Sequence, residues 1–153
     1  MRLTLNTDFG LLQIVEQDGW ITNLSIVSSV ASGLENAPQT PVLEQAARQL
    51  QAYLSGDRKT FDLPLRPAGT AFQKQVWQAV AQIPYGQTAS YCDICQAIGR
   101  PTAFRAVGAA IGKNPLWIVV PCHRVVGQSG ALTGYAGGLT MKASLLELER
   151  RFR

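Results

Sequence analysis

The clearest chemical potential in this chain lies in Cys122 and His123, within the run Pro121-Cys122-His123-Arg124-Val125. A thiol is a weak nucleophile until it becomes a thiolate, and a neighbouring imidazole can take its proton. His123 is the only histidine in the chain. The alternative interpretation is a small buried cysteine followed by a basic pair at the surface. The dipeptide alone leaves both interpretations open.

A histidine that activates a thiol needs a third group to orient it, and the last predicted helix, residues 139–152, offers a carboxylate. Glu149 lies at the edge of the apolar stripe of this helix, about 70° from its centre. One interpretation is a half-solvated residue paired with Arg124, Arg150 or backbone amides. The other is a carboxylate that orients His123. Three apolar residues are expected to define the buried side: Leu145, Leu148 and Phe152.

Composition places the chain among small globular proteins. With 153 residues and 46% hydrophobic content, it suits one ordinary domain or two very small ones. The net charge of +4 slightly favours a polyanionic partner. No run reaches transmembrane length and the N-terminus lacks a signal-peptide core, so a cytoplasmic location without a membrane partner is expected. Three cysteines, an odd number, argue against a disulfide framework and suit a working thiol.

The first half of the chain predicts a β-meander followed by one helix. Short apolar runs within residues 2–27 are separated by glycine-containing turns. Thr40-Pro41 supplies an N-cap and a first-turn proline for a helix that Gly56 ends. Residues 28–39 are expected to form a loop, and residues 57–69 a linker to a second, helical half.

The second half predicts a helix over 72–83 and then two short helices, Tyr91 to Ile98 and Thr102 to Ile111, with Thr102 as the cap of the latter. Two short helices joined by a turn that contains Gly99 are typical of a helix-turn-helix unit, although many helical hairpins share the pattern. The helix predicted over 72–83 is expected to bury one face, which consists of Phe72, Val76, Ala79, Val80 and Ile83.

The second helix of the pair is expected to bury Phe104, Val107 and Ile111. Its remaining surface carries small residues and one long basic side chain, Arg105. Helices that read a DNA sequence usually present several long polar side chains, so this one predicts contact without a sequence code. The alternative is an alanine-rich packing helix with one solvated arginine.

The apolar run Leu116 to Val120 predicts a buried strand that ends at Cys122, followed by a glycine-rich loop over 127–138. Cys92 and Cys95 are interpreted as structural, because a tetrahedral metal site would need further ligands. We expect no metal and no cofactor, and the chain has no phosphate-binding Gly-Lys-Ser/Thr loop.

These motifs together resemble the O6-alkylguanine-DNA alkyltransferases. The resemblance rests on Pro-Cys-His-Arg-Val, on Arg105-Ala-Val-Gly and Gly112-Lys-Asn114-Pro115 before it, and on Gly134-Tyr135-Ala-Gly-Gly after it. It covers about Phe72 to Glu149. It implies an α/β (α+β) fold with an RNase H-like strand-helix subdomain over residues 1–68, and a DNA-binding and active-site domain with a helix-turn-helix over 69–153.

The resemblance also implies an activity, direct repair of alkylated DNA. A methyl group would pass from guanine O6, less readily from thymine O4, irreversibly to Cys122 after the base is flipped out of the duplex. His123 and Glu149 would activate the thiol through a water. Asn114 would brace the loop before the active site, and Tyr135 would line the pocket.

The implied partner is double-stranded DNA that contains O6-alkylguanine, bound through its minor groove by a monomer; assembly along DNA stays open. Tyr91 would push the 3′ phosphate and its hydroxyl could assist the leaving guanine. Arg105 would fill the vacated stack. No zinc is expected, since the N-terminal half lacks the Cys and His that hold it in some members. Ala136 stands where some members carry serine. Further implied DNA contacts are Phe72, Ser90, Cys92, Arg100, Thr102 and Gln128.

Two other functions stay compatible with the residues alone. A cysteine hydrolase could use Cys122, His123 and Glu149 to turn over a small ester or amide. A helix-turn-helix binding module could carry Cys122 as a structural residue. A permanent gain of one methyl group on exposure to methylated DNA would distinguish the repair protein from both.

Overall fold

The computed structural model describes residues 1–28, 40–132, 134–135 and 137–153. The chain separates into two compact units, Met1–Ala68 and Gly69–Arg153. Strands lie in the first and mainly helices in the second, which confirms the mixed α/β prediction. The predicted loop over 28–39 falls almost wholly outside the described residues, as does Ala136.

The first unit is built on an antiparallel meander, β1 (Arg2–Thr7), β2 (Gly10–Gln17) and β3 (Trp20–Val27), in that order. Asp18 and Gly19, both with positive φ, connect β2 to β3 as a two-residue turn of the kind that matches strand twist. Alternate residues of β2 are buried, as a one-sided sheet requires. The predicted meander is therefore confirmed.

One helix, α1 (Pro41–Leu54), covers this sheet. The Thr40 hydroxyl caps it by accepting a hydrogen bond from the Leu43 amide, and Pro41 begins it, as predicted. The following segment belongs in part to the same unit, contrary to the linker prediction. Leu65 forms a bridge with Ile21 of β3, so backbone pairing holds this part of the segment against the sheet.

The second unit begins with α2 (Ala71–Ala81), which Thr70 and Gln73 close with a reciprocal capping box. The predicted buried face is confirmed at Val76, Val80 and Ile83, and Trp77 is also buried. Its indole Nε1 donates to the carbonyl of Ala110 at 2.8 Å. This bond ties α2 to the fourth helix of the fold.

A short strand, β4 (Ala89–Ser90), leads directly into α3 (Tyr91–Ala97), and a turn joins α3 to α4 (Phe104–Gly112). The Ser90 hydroxyl caps α3. The predicted Thr102 cap of α4 is wrong, because the helix begins two residues later and Ala103 occupies the cap position without a side-chain bond. The two predicted helices are present and pack together.

The predicted strand over 116–120 is also wrong. These residues form consecutive turns, and Ile118 has a positive φ of 73°. The side chain of Asn114 explains the difference: its Nδ2 donates to the carbonyls of Leu116 and Val120, and its Oδ1 accepts from the Leu116 amide. These bonds fold the apolar run back on itself, in place of the ladder that a strand would need.

The turns lead into a single 3₁₀ turn, Cys122–Arg124, and then into β5 (Val125–Val126), which pairs in parallel with β4. The last helix is α5 (Leu139–Phe152). Its buried stripe differs from the prediction, because Leu148 is half-buried and Phe152 is exposed. Two ionisable residues take their places beside Met141 and Leu145: Lys142 and Glu149.

Candidate active site

Cys122 lies in the wall of a cavity of about 330 Å³ within the second unit. Only 3% of its surface is exposed. The 3₁₀ turn that begins at Cys122 points the thiol toward the cavity and the next two side chains toward the core. Residues from α3, α4 and two loops line the space: Tyr91, Gly108, Ile111, Gly112, Asn114, Trp117, Cys122, Gly134 and Tyr135.

A hydrogen-bonded cluster of charged groups lies behind Cys122, with the fully buried carboxylate of Glu149 at its centre. Nε2 of His123 donates to Oε2 at 2.7 Å. Arg124 donates to both oxygens at 2.8 Å and to the carbonyl of Ile83 at 2.7 Å. The Gly86 amide donates to Oε1 at 3.3 Å. The interpretation of Glu149 as a half-solvated residue is therefore wrong. Its carboxylate is fully buried, and it is paired with Arg124 and with His123.

This geometry assigns the protonation of His123. A carboxylate only accepts hydrogen bonds, so Nε2 carries the proton that it donates to Glu149. Burial, together with the positive charges of Arg124 and Lys142, lowers the pKa of His123 from its ordinary value, although the Glu149 carboxylate acts to raise it. The imidazole is therefore neutral near pH 7, with its basic lone pair on Nδ1.

The Cys122 thiol is strongly held in its neutral form. Burial raises its pKa to about 12, while the hydrogen-bonding side chain of Asn114 and the positive charge of Lys142 act in the opposite direction. A thiolate at rest would be an isolated charge in an apolar cavity, which is costly. Deprotonation at neutral pH therefore has to be coupled to the event that brings in a substrate.

Lys142 is a site residue that the sequence reasoning missed. Its side chain is fully buried, and Nζ donates to the carbonyl of Val125, three residues after Cys122. Burial lowers its pKa, and the nearby Cys122 raises it. The available signal was its spacing: Lys142 precedes Glu149 by seven residues, two helical turns on the same face.

The aromatic wall of the cavity is formed by Trp117 and Tyr135, whose ring centroids lie 6.1 Å apart. The rings of Tyr135 and His123 are nearly perpendicular, in an edge-to-face arrangement, and their centroids lie 6.5 Å apart. Among the described residues, the buried Tyr135 hydroxyl has no hydrogen-bond partner. Burial raises the pKa of this hydroxyl, so it stays protonated and can donate.

The predicted DNA-binding residues divide into those at the cavity and those at the surface. Tyr91, the first residue of α3, lines the cavity. Arg105 and Thr102 are exposed at the start of α4, and Arg100 lies 5.6 Å over the Phe72 ring. Three others lie elsewhere: Ser90 caps α3, Cys92 is half-buried and accepts from Gln96, and Gln128 is exposed after β5.

The charge of the chain is unevenly divided. Residues 69–153 contain nine of the fourteen Lys and Arg residues but three of the ten Asp and Glu residues, which is +6, whereas residues 1–68 carry −2. An excess of this kind is the electrostatic footprint expected for nucleic-acid binding. Among the residues that the structure describes, no helix is long and apolar enough to cross a membrane. The same residues contain no group of three metal-ligating side chains.

Together, these features define an α/β protein with a buried cysteine in its second unit. The hydrogen-bonded cluster around Glu149 lies behind that cysteine, and the same unit contains a helix pair and an excess of positive charge. Two family models match the chain: the DNA-binding domain of 6-O-methylguanine DNA methyltransferase over residues 71–151, and its ribonuclease-like domain over residues 2–67. The chain therefore belongs to the 6-O-methylguanine DNA methyltransferase family, which confirms the resemblance.

Individual relatives match over nearly the whole chain. The constitutive methylated-DNA–protein-cysteine methyltransferase of Bacillus subtilis is 49% identical, over 96% of this chain and 93% of its own. The crystal structure of Mycobacterium tuberculosis OGT in complex with DNA superposes with a TM-score of 0.87 at 44% identity, over 97% of this chain and 92% of that one. A crystal structure of M. tuberculosis O6-methylguanine methyltransferase is 42% identical, also with a TM-score of 0.87, over 99% of this chain and 93% of that one.

The buried carboxylate yields a stability prediction. Glu149→Gln leaves the Arg124 guanidinium buried with its charge uncompensated, which costs on the order of 3–5 kcal/mol. We expect the Tm to fall by roughly 10 °C. The matched control is Glu147→Gln, two residues away on α5, where the carboxylate pairs with Arg150 in solvent. Equal melting temperatures for the two variants would contradict the assigned role of the Glu149 cluster.

The single histidine yields a pH prediction. Because the pKa of His123 is lowered in the folded state, the unfolded chain binds this proton more readily. Stability should be complete above about pH 6.5 and fall below it, by up to about 1.4 kcal/mol per pH unit. Urea titrations between pH 5 and 8 measure this slope. His123→Gln should flatten it, and an unchanged slope in the variant would assign the effect to other groups.

Proposed function

We propose that this protein repairs alkylated DNA by direct reversal, moving the methyl group of O6-methylguanine, and less readily of O4-methylthymine, onto Cys122. The observation that carries the proposal is the position of Cys122, between a buried acid–base relay and a cavity walled by both helices of the α3–α4 pair. Family membership and the DNA-bound relative support the same reading.

The cavity requires the base to leave the duplex. A methyl group on a stacked guanine cannot reach a thiol that is 3% exposed, so the nucleotide must be flipped into the cavity. Tyr91 stands at the cavity wall on the first turn of α3, where it would push the 3′ phosphate. Arg105 is exposed on α4 and would occupy the vacated stack. These contacts do not depend on the base sequence, as is appropriate for a lesion that can arise at any guanine.

The small exposed residues of α4 favour the minor groove. Ala106 and Ala109 are exposed and allow close approach of the helix backbone to DNA. Proteins that bind the minor groove commonly insert a few side chains and bend the duplex, in place of a pattern of base-edge hydrogen bonds. Arg100, exposed in the turn before α4, and Lys113, exposed at the end of α4, would contact phosphates. We propose that one copy of the chain binds one lesion.

The transfer itself is a displacement at the methyl carbon. The thiol proton passes to Nδ1 of His123, directly or through one water, and the sulfur forms a bond to carbon as the carbon–oxygen bond breaks. The bonding pair leaves with guanine O6, and the guanine anion takes a proton from the Tyr91 hydroxyl at the cavity wall. The tyrosinate regains a proton and the His123 imidazolium gives one up through solvent, so that the net transfer is one proton from sulfur to guanine. The product is a thioether, which His123 cannot cleave, so each molecule reacts once.

The site residues divide this work by position. Glu149 holds His123 in the tautomer that leaves Nδ1 basic. Asn114 holds the turns before Cys122 and bonds the thiol. Tyr135, whose ring is tilted against that of Trp117, would offer its buried hydroxyl to the flipped base. Lys142 would stabilise the negative charge that develops on sulfur, since its ammonium is buried close to Cys122.

The proposal is tested by mass. Wild-type protein mixed with a duplex that contains O6-methylguanine should gain one methyl group permanently, and peptide mapping should locate it on Cys122. Cys122→Ser should gain none, because a hydroxyl is far harder to ionise than a thiol, while its duplex affinity stays within several-fold. Methylation of Cys122→Ser would overturn the assignment. No methylation of the wild type, with turnover of a test ester, would favour a cysteine hydrolase.

The role of Lys142 yields a second prediction. Lys142→Met removes a buried positive charge at nearly constant volume, which disfavours the thiolate and raises the pKa of Cys122. The rate of methyl transfer at pH 7 should fall about tenfold, and the rate–pH profile should move up by about one unit. Lys142→Arg, which keeps the charge, is the control. A slower reaction with an unshifted profile would assign Lys142 a purely structural role.

A further inference from the structure

Phe104 is more exposed than its sequence pattern predicts. Its spacing from Val107 and Ile111 predicts burial, and both of those residues are buried. Phe104 itself is 49% exposed, as the first residue of α4. Exposing a large apolar ring forgoes the favourable burial that its position on the helix offers. A residue that breaks a local rule in this way is a candidate for function.

Its surroundings connect Phe104 to the cavity. Phe104, Gly108 and Ile111 lie on one face of α4, and the latter two line the cavity that holds Cys122. Four residues of helix separate Phe104 from Gly108, about 6 Å along the axis. The ring itself is not part of the cavity lining. Phe104 therefore lies at the protein surface about one helical turn from the cavity lining, where it would meet the duplex and not the flipped base.

The neighbouring residues define the partner as a polyanion. Arg105 follows Phe104 directly and is exposed, and Arg100 lies in the preceding turn, over the ring of Phe72. The other outward residues of α4 are small, Ala106 and Ala109 among them. Phe104 and Arg105 are thus the two long side chains at the N-terminal end of this surface. An apolar wedge beside a basic side chain is a combination that opens base steps from the minor groove.

We propose that Phe104 is a wedge that enters the minor groove next to the lesion and holds the neighbouring base step open while the nucleotide is flipped. This inference rests on the proposed function and adds a second side chain to the one that fills the gap. Phe104 acts first and lowers the free-energy cost of unstacking the base. Arg105 then occupies the position that the flipped base has left. Phe104 therefore acts on the duplex and leaves the transfer step in the cavity untouched.

The experiment compares three substrates in single-turnover reactions: O6-methylguanine in a duplex, the same oligonucleotide as a single strand, and the free methylated base. Phe104→Ala should be about tenfold slower than the wild type on the duplex, because an unstacking contribution is lost. It should be nearly unchanged on the single strand and the free base, which need no unpairing. Phe104→Leu, which keeps an apolar wedge, should recover most of the duplex rate.

Phe152→Ala is the matched control, since Phe152 is also exposed, at 37%, and lies beside an arginine at the end of α5. It should react like the wild type on all three substrates. An unchanged duplex rate for Phe104→Ala would overturn the inference. So would equal losses on the duplex and the free base, which would assign Phe104 to the flipped base or the cavity wall. A wild type that gains no methyl group from any substrate would overturn the proposed function itself.

Discussion

The second unit depends on how one buried negative charge is neutralised. Glu149 is fully inaccessible to solvent, and its carboxylate accepts hydrogen bonds from His123, from both sides of the Arg124 fork and from the Gly86 amide. An uncompensated carboxylate in this position would be expensive, so these donors must all be in place together. The last helix, the 3₁₀ turn and the turn before β4 are therefore joined through a single side chain.

Neutralising the charge of Glu149 also gives Cys122 two different surroundings, a charged cluster on one side and an apolar cavity on the other. Behind Cys122, Glu149 is paired with Arg124 at 2.8 Å and holds the ring of His123 in place, and burial keeps that imidazole neutral. In front of it lies an apolar, aromatic cavity that raises the pKa of the thiol to about 12. A nucleophile that reacts once and cannot be regenerated benefits from being suppressed in this way. Its reactivity then depends on the base that fills the cavity.

The structure also joins the site to the surface that would bind DNA. β5 follows the 3₁₀ turn of Cys122 and pairs with β4, whose Ser90 caps α3. Tyr91 stands at the first position of α3 and lines the cavity, and α4 contributes Gly108 and Gly112 to the same lining. Glycine at these two positions leaves no side chain between the helix and the space beside Cys122. The two helices that line the cavity therefore also form the surface that carries the exposed Arg105.

What the sequence determined by itself was local. The Asp18-Gly19 turn, the Thr40-Pro41 helix start, the α3–α4 pair and the Cys-His dipeptide all follow from preferences within a few residues, and each is present. The tertiary structure decided the rest, because distant partners determined the outcome. Asn114 bends an apolar run that reads as a strand, and core hydrogen bonds draw Lys142 and Glu149 inward in place of Leu148 and Phe152. Periodicity assigns a residue to a face, but only its partners across the fold decide whether a charge can be buried there.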